Sequence, residues 1–309
     1  MKIVFAGTPS FAVAPLRQLL AAGFKIAAVL TQPDKPQGRK GILTPSPVKL
    51  AAQEAGIPVL QPKKLKEDYS ELAAVGADAM VTCAYGQILT QEVLDLFPLG
   101  VWNVHASLLP AYRGAAPIPR CIMDGCRETG VTVMKTELGL DTGDILLQRA
   151  IAVEDTDTCG TLTDKLSLLG AELIVEGMRL VESGNVHTIA QGEGFVCKKV
   201  VKEAADFSRS AREVSAFIRA LSPAPLAFGK AEGLLVNFIN AEIADTETDE
   251  PYGTILSDRP SDGLVVACGQ GAVRITEVQP AGGKKMRASD FLNGRKLKKG
   301  MRFEDKPVL

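Results

Sequence analysis

Two short segments hold the side chains with chemistry to offer. WNVHASLLPAYRG (102–114) contains the only Trp and one of the two His among 309 residues, and LGLDTGD (138–144) sets two carboxylates and two glycines in one loop. As a strand, GVWNVHA (100–106) would turn Asn103 and His105 to the same side, because strand side chains alternate with a period of two. An amide and an imidazole can then converge on one small group. Both can donate to an oxygen gaining negative charge, while a carboxylate such as Asp141 orients the imidazole and helps take a proton from the nucleophile. That scheme needs no Ser or Cys, which points to direct attack by a substrate amine or by water. The competing readings are ordinary: a lone His is more often a satisfied structural residue, and an Asp/Gly loop is as readily a plain turn. The matching Asn, the strand-end position and the apolar SLLP that follows weigh toward chemistry. His187 has no such company and is assigned to solvent.

The elements needed to position these groups follow from the apolar pattern. KIVFAG (2–7), IAAVLT (26–31), PVL (58–60), DAMVTCAYG (78–86) and GVWNVHA are mostly apolar runs, separated by helix-compatible sequence such as SPVKLAAQEAG (46–56). Strands apolar on both faces that alternate with helices indicate a parallel sheet covered on both sides, here a Rossmann-like α/β domain. Such sheets bind ligands at the carboxyl ends of their strands, near the point where strand order reverses, and His105 lies at such an end. Thr8-Pro9 reads as a helix N-cap followed by Pro at the first helical position, opening a helix through about Leu20. GVTVMKTE (130–137) and DILLQRAIAV (144–153) are further strands, and 158–184 is the longest helical pattern. The expected catalytic domain spans 1–185, a polar linker 186–206, and a second domain 207–309. In the last, short alternating runs punctuated by Gly, Asp and Pro suit a small antiparallel barrel.

Composition narrows the classes. With 46% apolar and 23% charged residues the chain reads as folded, and 35 Lys plus Arg nearly cancel 36 Asp plus Glu, so affinity for nucleic acid must come from local clusters. Lys35, Arg39, Lys40 and Lys49 surround Asp34, and Lys284, Lys285, Arg287, Arg295, Lys296, Lys298, Lys299 and Arg302 are opposed only by Asp290. Either cluster alone is commonly a solvated face; two, on opposite flanks of the expected site, favour a groove for a nucleic-acid backbone. The six scattered cysteines form no CxxC or Cys/His grouping, so buried reduced thiols are expected and no metal. FAGTPSF lacks GxGxxG and no Walker A sequence is present, which leaves little for a nicotinamide or ATP reading. No stretch approaches a membrane span, and the expected location is the cytoplasm, without a membrane partner.

Taken together, FAGTPSFA (5–12), TQPDKPQGR (31–39) with PSPVK (45–49), AYGQIL (84–89), NVHASLLPAYRGAAPI (103–118), TGVTVMKTELGLDTGDIL (129–146) and QPAGGKKM (279–286) resemble the methionyl-tRNA formyltransferase family across nearly the whole chain. The NxH and LDxG pieces alone are shared with other 10-formyltetrahydrofolate enzymes. The resemblance implies a formyltransferase fold followed by an OB-like β-barrel that helps hold the acceptor arm. It implies transfer of the formyl group of 10-formyltetrahydrofolate, as co-substrate, to the α-amino group of initiator methionyl-tRNA, by a monomer. Asn103, His105 and Asp141 match the family's catalytic trio. The folate site would fall on Ala84, Tyr85, Gly86, Gln87, Ile88 and Leu89, on Ser107, Leu108, Leu109 and Pro110, and on Glu137, Leu138 and Leu140. For the tRNA, Arg39 matches a family residue involved in its recognition, and Lys35, Lys40, Lys284 and Lys285 of the two basic clusters are expected to bind it as well. Where the family often has Gly after the His, this chain has Ala106, tolerable unless that position needs positive φ. Other acceptors, a nucleotide-sugar amine or water, and a non-catalytic RNA-binding module stay open on the residues alone.

Overall fold

The computed structural model describes residues 1–37, 41–294, 296–305 and 307. Two compact units divide the chain: Met1–Pro117 with Glu128–Ile151 and Thr163–Cys197, and Ile118–Arg127 with Ala152–Leu162 and Lys198–Leu309. The expected linker, 186–206, is divided between the two units at Cys197, and two short segments from within 1–185 count with the second unit.

In the first unit the strands are β1 (Lys2–Gly7), β2 (Lys25–Leu30), β3 (Lys35–Gln37), β4 (Ile42–Thr44), β5 (Val59–Leu60), β6 (Ala79–Cys83), β7 (Val101–His105), β8 (Arg113–Gly114), β9 (Glu128–Lys135), β10 (Ile145–Ala152) and β11 (Val196–Cys197). The main sheet runs β10-β9-β7-β6-β1-β2-β5. β1, β2, β5, β6 and β7 pair in parallel, and β9 joins β7 antiparallel. Strand order reverses between β1 and β6, the switch point that such a sheet offers to a ligand. Ile3, Val4, Phe5 and Ala6 of β1, like Ala79, Met80 and Val81 of β6, are wholly buried, as central strands covered on both faces require. Each such aliphatic or aromatic side chain contributes roughly 1.5–3 kcal/mol by leaving water.

Helices α1 (Val13–Ala21), α2 (Pro47–Glu54), α3 (Ser70–Val75) and α4 (Gln91–Leu94) lie between these strands. Ser46 caps α2 by accepting from the Lys49 N–H, ahead of Pro47 at the first position. The expected cap at Thr8 is not made. A 3-10 turn at Ser10–Ala12 leads into α1, neither has a side-chain cap, and the Thr8 hydroxyl instead donates to the Tyr85 carbonyl at 2.9 Å. Thr8 therefore ties the ends of β1 and β6 together, a nonlocal bond that a local capping rule does not see.

The second unit contains most of α5 (Pro117–Met123), the start of α6 (Cys159–Ser183), α7 (Ala211–Ala220), α8 (Ala288–Leu292), and strands β12 (Glu203–Ala204), β13 (Ala227–Ala231), β14 (Leu234–Ala244), β15 (Ile255–Ser257), β16 (Leu264–Ala267), β17 (Ala272–Pro280) and β18 (Met286–Arg287). Ser210 and Glu213 form a reciprocal capping box at the start of α7. The sheet order is β12-β13-β14-β17-β16-β15, with β18 also on β17, and every pair except β12–β13 is antiparallel. Residues 300–304 bond to Gly253 and Ile255 on one side and, through the Glu304 N–H, to Lys230 of β13 on the other. This tail links β15, at one end of the sheet, to β13, next to the other end, and so curls the sheet into the expected barrel. Phe303 on the tail sits 5.4 Å from Phe207 and 5.5 Å from Phe238, ring centre to ring centre, in the apolar interior.

Candidate active site

Asn103 and His105 share one face of β7, as the period of two requires. Thr82, opposite Asn103 on β6, donates its hydroxyl to Asn103 Oδ1 at 2.8 Å. That bond fixes the amide with its oxygen occupied and its Nδ2 left to donate; no contact of Nδ2 is found among the described residues. His105 is 6% exposed. Its Nε2 lies 2.9 Å from the Tyr112 carbonyl, which can only accept, so this nitrogen carries a proton. Its Nδ1 faces Asp141 Oδ2 at 3.6 Å, an ion-pair separation beyond direct hydrogen-bond reach. The same Oδ2 accepts from the Gly114 N–H at 2.8 Å. The trio inferred from the sequence is thus brought together, but His105 is more engaged than expected. Both of its nitrogens face protein groups, which leaves Asn103 as the free donor.

Backbone strain collects on the loops that carry these groups. In the first unit, the described non-Gly residues with positive φ are Ala84 (48°), Tyr112 (59°) and Asp141 (51°). Each follows a strand of the site or its neighbours, and such left-handed conformations cost of order 1–3 kcal/mol unless surrounding contacts impose them. Gly143 has a different reason to be Gly: a Cβ there would run into the Lys135 carbonyl. Ala106 is absent from the positive-φ residues, so the methyl in place of the family's Gly is accommodated.

The residues expected to meet a folate divide into two sets. Ile88 (80% exposed), Leu138 (68%) and Leu140 (57%) present large apolar side chains to solvent, and Ala84, Gly86 and Glu137 are also exposed. Exposed apolar side chains beside a polar trio are what a flat heteroaromatic ring would cover. Tyr85, Leu89, Ser107 and Leu109 are instead buried, and Gln87 spans Leu65 and Pro62 through its amide. Their side chains are turned into the protein. Burial pushes the Tyr85 phenol up to about 12, and its hydroxyl finds no partner among the described residues. Leu108 and Pro110 are half-buried in a loop held by Thr132, which donates to the Ser107 carbonyl, and by Gln148, which donates to the Leu109 carbonyl. Thr82, Thr132, Gln148, the Tyr112 carbonyl and the Gly114 N–H escaped the sequence reading. They are common residue types or backbone groups, and no local pattern distinguishes them.

Of the residues expected to meet tRNA, Lys35 is exposed on β3, Lys284 and Lys285 are exposed in the turn between β17 and β18, and Arg39 and Lys40 lie outside the described residues, as does Arg295. Two basic groups are partly offset: Lys285 pairs with Glu277 at 2.7 Å and Lys49 with Asp34 at 2.7 Å. Hydrogen bonds from Lys49 and then Gln61 hold the Asp34 carboxyl below the ordinary carboxylate range. His187 is exposed, as expected. Burial raises the Cys83 thiol strongly and pushes Cys268 up to about 12, which makes both unreactive. Among the described residues no group of three or more His, Cys, Asp or Glu could hold a metal ion, and no helix is long and apolar enough to cross a membrane.

The chain is similar to known proteins along nearly its whole length. A family model described as formyl transferase matches residues 1–178, and a second, formyl transferase C-terminal domain, matches 199–296. Curated relatives named methionyl-tRNA formyltransferase include one from Janthinobacterium sp. (strain Marseille), 45% identical over 99% of this chain and 99% of the relative. Another, from Neisseria meningitidis serogroup B, is 46% identical over 98% of this chain and all of the relative, 100%. Among solved structures, HypX from Aquifex aeolicus in complex with tetrahydrofolic acid superposes with a TM-score of 0.69 at 18% identity, covering 97% of this chain and 48% of that one. The sugar 3N-formyl transferase WlaRD follows at 0.66 and 19%, covering 88% and 96%. At such identities these two show the fold alone. With both family models matched in order and the curated likeness running from end to end, the chain belongs to the methionyl-tRNA formyltransferase family.

Proposed function

We propose that this protein transfers the formyl group of 10-formyltetrahydrofolate to the α-amino group of initiator methionyl-tRNA, for translation initiation, with Asn103, His105 and Asp141 as its catalytic residues. The observation that carries the reading is the meeting of an oriented amide with an imidazole–carboxylate pair from a loop 36 residues further on in the sequence, between His105 and Asp141. The neutral amine attacks the formyl carbon, and the carbonyl oxygen takes up negative charge. Asn103 Nδ2 donates to that oxygen, where a prearranged dipole acts without reorganisation. The amine proton passes toward the Asp141–His105 pair, and the tetrahedral carbon collapses by releasing the folate nitrogen, which takes a proton in turn. To reach the reacting atoms, the His105 Nε2–H exchanges the Tyr112 carbonyl for a substrate atom. The exposed Ile88, Leu138 and Leu140 suit the flat pterin.

The second unit, with Lys284 and Lys285, and Lys35, Arg39 and Lys40 in the first, is assigned to the tRNA. The protein is read as a monomer, for which one chain holds a whole trio, and a charged tRNA as acceptor suits work in the cytoplasm. Incubation with labelled 10-formyltetrahydrofolate tests the reading: label should appear on initiator methionyl-tRNA and not on free methionine, a nucleotide-sugar amine or water. Label on a sugar amine or released as formate would overturn it.

Two smaller outcomes follow. Thr82→Val keeps the volume but frees Asn103 to turn its oxygen toward the site, and is expected to lower kcat about tenfold, the order of one hydrogen bond; an unchanged kcat would show that Thr82 does not orient the amide. Affinity for tRNA, measured by filter binding, should fall with log salt at a slope of roughly −3 to −5, for about five phosphates neutralised. A flat response would remove the basic residues from tRNA binding.

A further inference from the structure

The segment 188–197, expected to be linker, lies against both loops that hold the catalytic pair. Ile189 exchanges two backbone hydrogen bonds with Ile145, the Thr188 hydroxyl donates to Asp144 Oδ2, and β11 pairs in parallel with β8. Gly194 passes so near Pro110 that a Cβ would strike its carbonyl. Those contacts already anchor the segment. One side chain on it does something different.

Gln191 donates both amide hydrogens to the site loop, to the Asp141 carbonyl at 3.0 Å and the Gly143 carbonyl at 2.6 Å. Its Oε1 accepts a fork from Arg113, Nε at 3.1 Å and Nη2 at 2.9 Å. Arg113 immediately precedes Gly114, whose N–H holds Asp141 Oδ2. A single amide with all four hydrogen-bonding positions used thus ties the backbone of Asp141 to the loop that grips its carboxylate. Asp141 needs such support, since its φ of 51° is unfavourable for a residue with a Cβ.

We propose that Gln191 is a positioning residue for formyl transfer: braced by Arg113, it holds Asp141 in its left-handed conformation with Oδ2 facing His105 Nδ1. The proposal rests on the reading of Asp141 and His105 as the reacting pair. Asp141 placed loosely still folds but meets the imidazole out of register, and small misplacements of this kind cost rate rather than binding. Tethering of the segment alone would be served equally by an apolar side chain of the same length.

The test compares Gln191→Met with Gln191→Glu in the full chain. Met removes all four bonds; Glu keeps Arg113 as partner and the volume but turns an oxygen toward two carbonyls. Both are expected to lower kcat about tenfold, with KM for each substrate within about twofold. Because the chain has only two His, selective labelling yields two ring signals, assigned with His187→Gln. The His105 signal should move in both variants while that of His187 stays, with both variants still folded at the assay temperature by circular dichroism. On an Asp141→Asn background, Gln191→Met should change the residual rate less than about twofold, since it acts through Asp141. A His105 signal unmoved in both variants overturns the brace whatever the rate does. A moved signal with an unchanged kcat upholds the brace and counts instead against the catalytic role of the pair.

Discussion

Asp141→Asn is expected to lower kcat by about 10³–10⁴-fold with little change in KM, the scale seen when a carboxylate beside a catalytic imidazole becomes an amide. The substitution preserves shape. The amide oxygen still accepts from the Gly114 N–H, so the loop keeps its place. What goes is the negative charge facing His105 Nδ1 at 3.6 Å. With the amide oxygen held at the Oδ2 position by the Gly114 N–H, His105 Nδ1 faces a neutral oxygen in place of a carboxylate, while Nε2–H stays on the Tyr112 carbonyl. The imidazole then loses the charge that favours its taking a second proton. Steady-state kinetics with saturating formyl donor reads the loss directly. A variant within tenfold of the parent would remove Asp141 from the proton path.

Asn103→Ala is expected to cost about 10²–10³-fold in kcat, or roughly 3–4 kcal/mol, because in the proposed mechanism the group removed binds the oxygen only as charge develops on it. KM should hold, since the formyl oxygen of the bound donor asks little of the amide before attack. Asn103 and Thr82 form one unit through their 2.8 Å hydrogen bond, so the Asn103→Ala, Thr82→Val double variant should be no slower than Asn103→Ala alone. Additive losses would give Thr82 a role of its own. Unchanged turnover in Asn103→Ala would leave the oxyanion without its proposed donor and the mechanism without its largest electrostatic contribution.

Where sequence and structure part, the cause is nonlocal bonding. Thr8 has the type and neighbour of a helix cap, yet it bonds the carbonyl of Tyr85, 77 residues away. The polar, aperiodic stretch at 186–206 has no apolar rhythm from which to read an element. Its order comes from pairing with β8 and from Gln191, neither of which needs hydrophobic spacing. Tyr85 and Leu89 sit in the motif AYGQIL but face the core, while their neighbours Ala84, Gly86 and Ile88 face out. A motif names a segment; the turn at Ala84, with φ of 48°, decides which of its atoms a ligand can touch.

From the amino-acid order alone came the parallel sheet, the small C-terminal barrel, the pairing of Asn103 with His105 on one strand face, and the family. The first three rest on spacing between near neighbours, which a linear pattern records, and the family on the resemblance of motifs spread along the chain. The tertiary structure alone decided that Thr82 orients the amide, that both nitrogens of His105 are engaged, and that Gln191 joins the two loops behind Asp141. Those outcomes depend on where residues tens of positions apart come to lie, and hydrogen bonds of a few ångströms between such residues leave no trace in local periodicity.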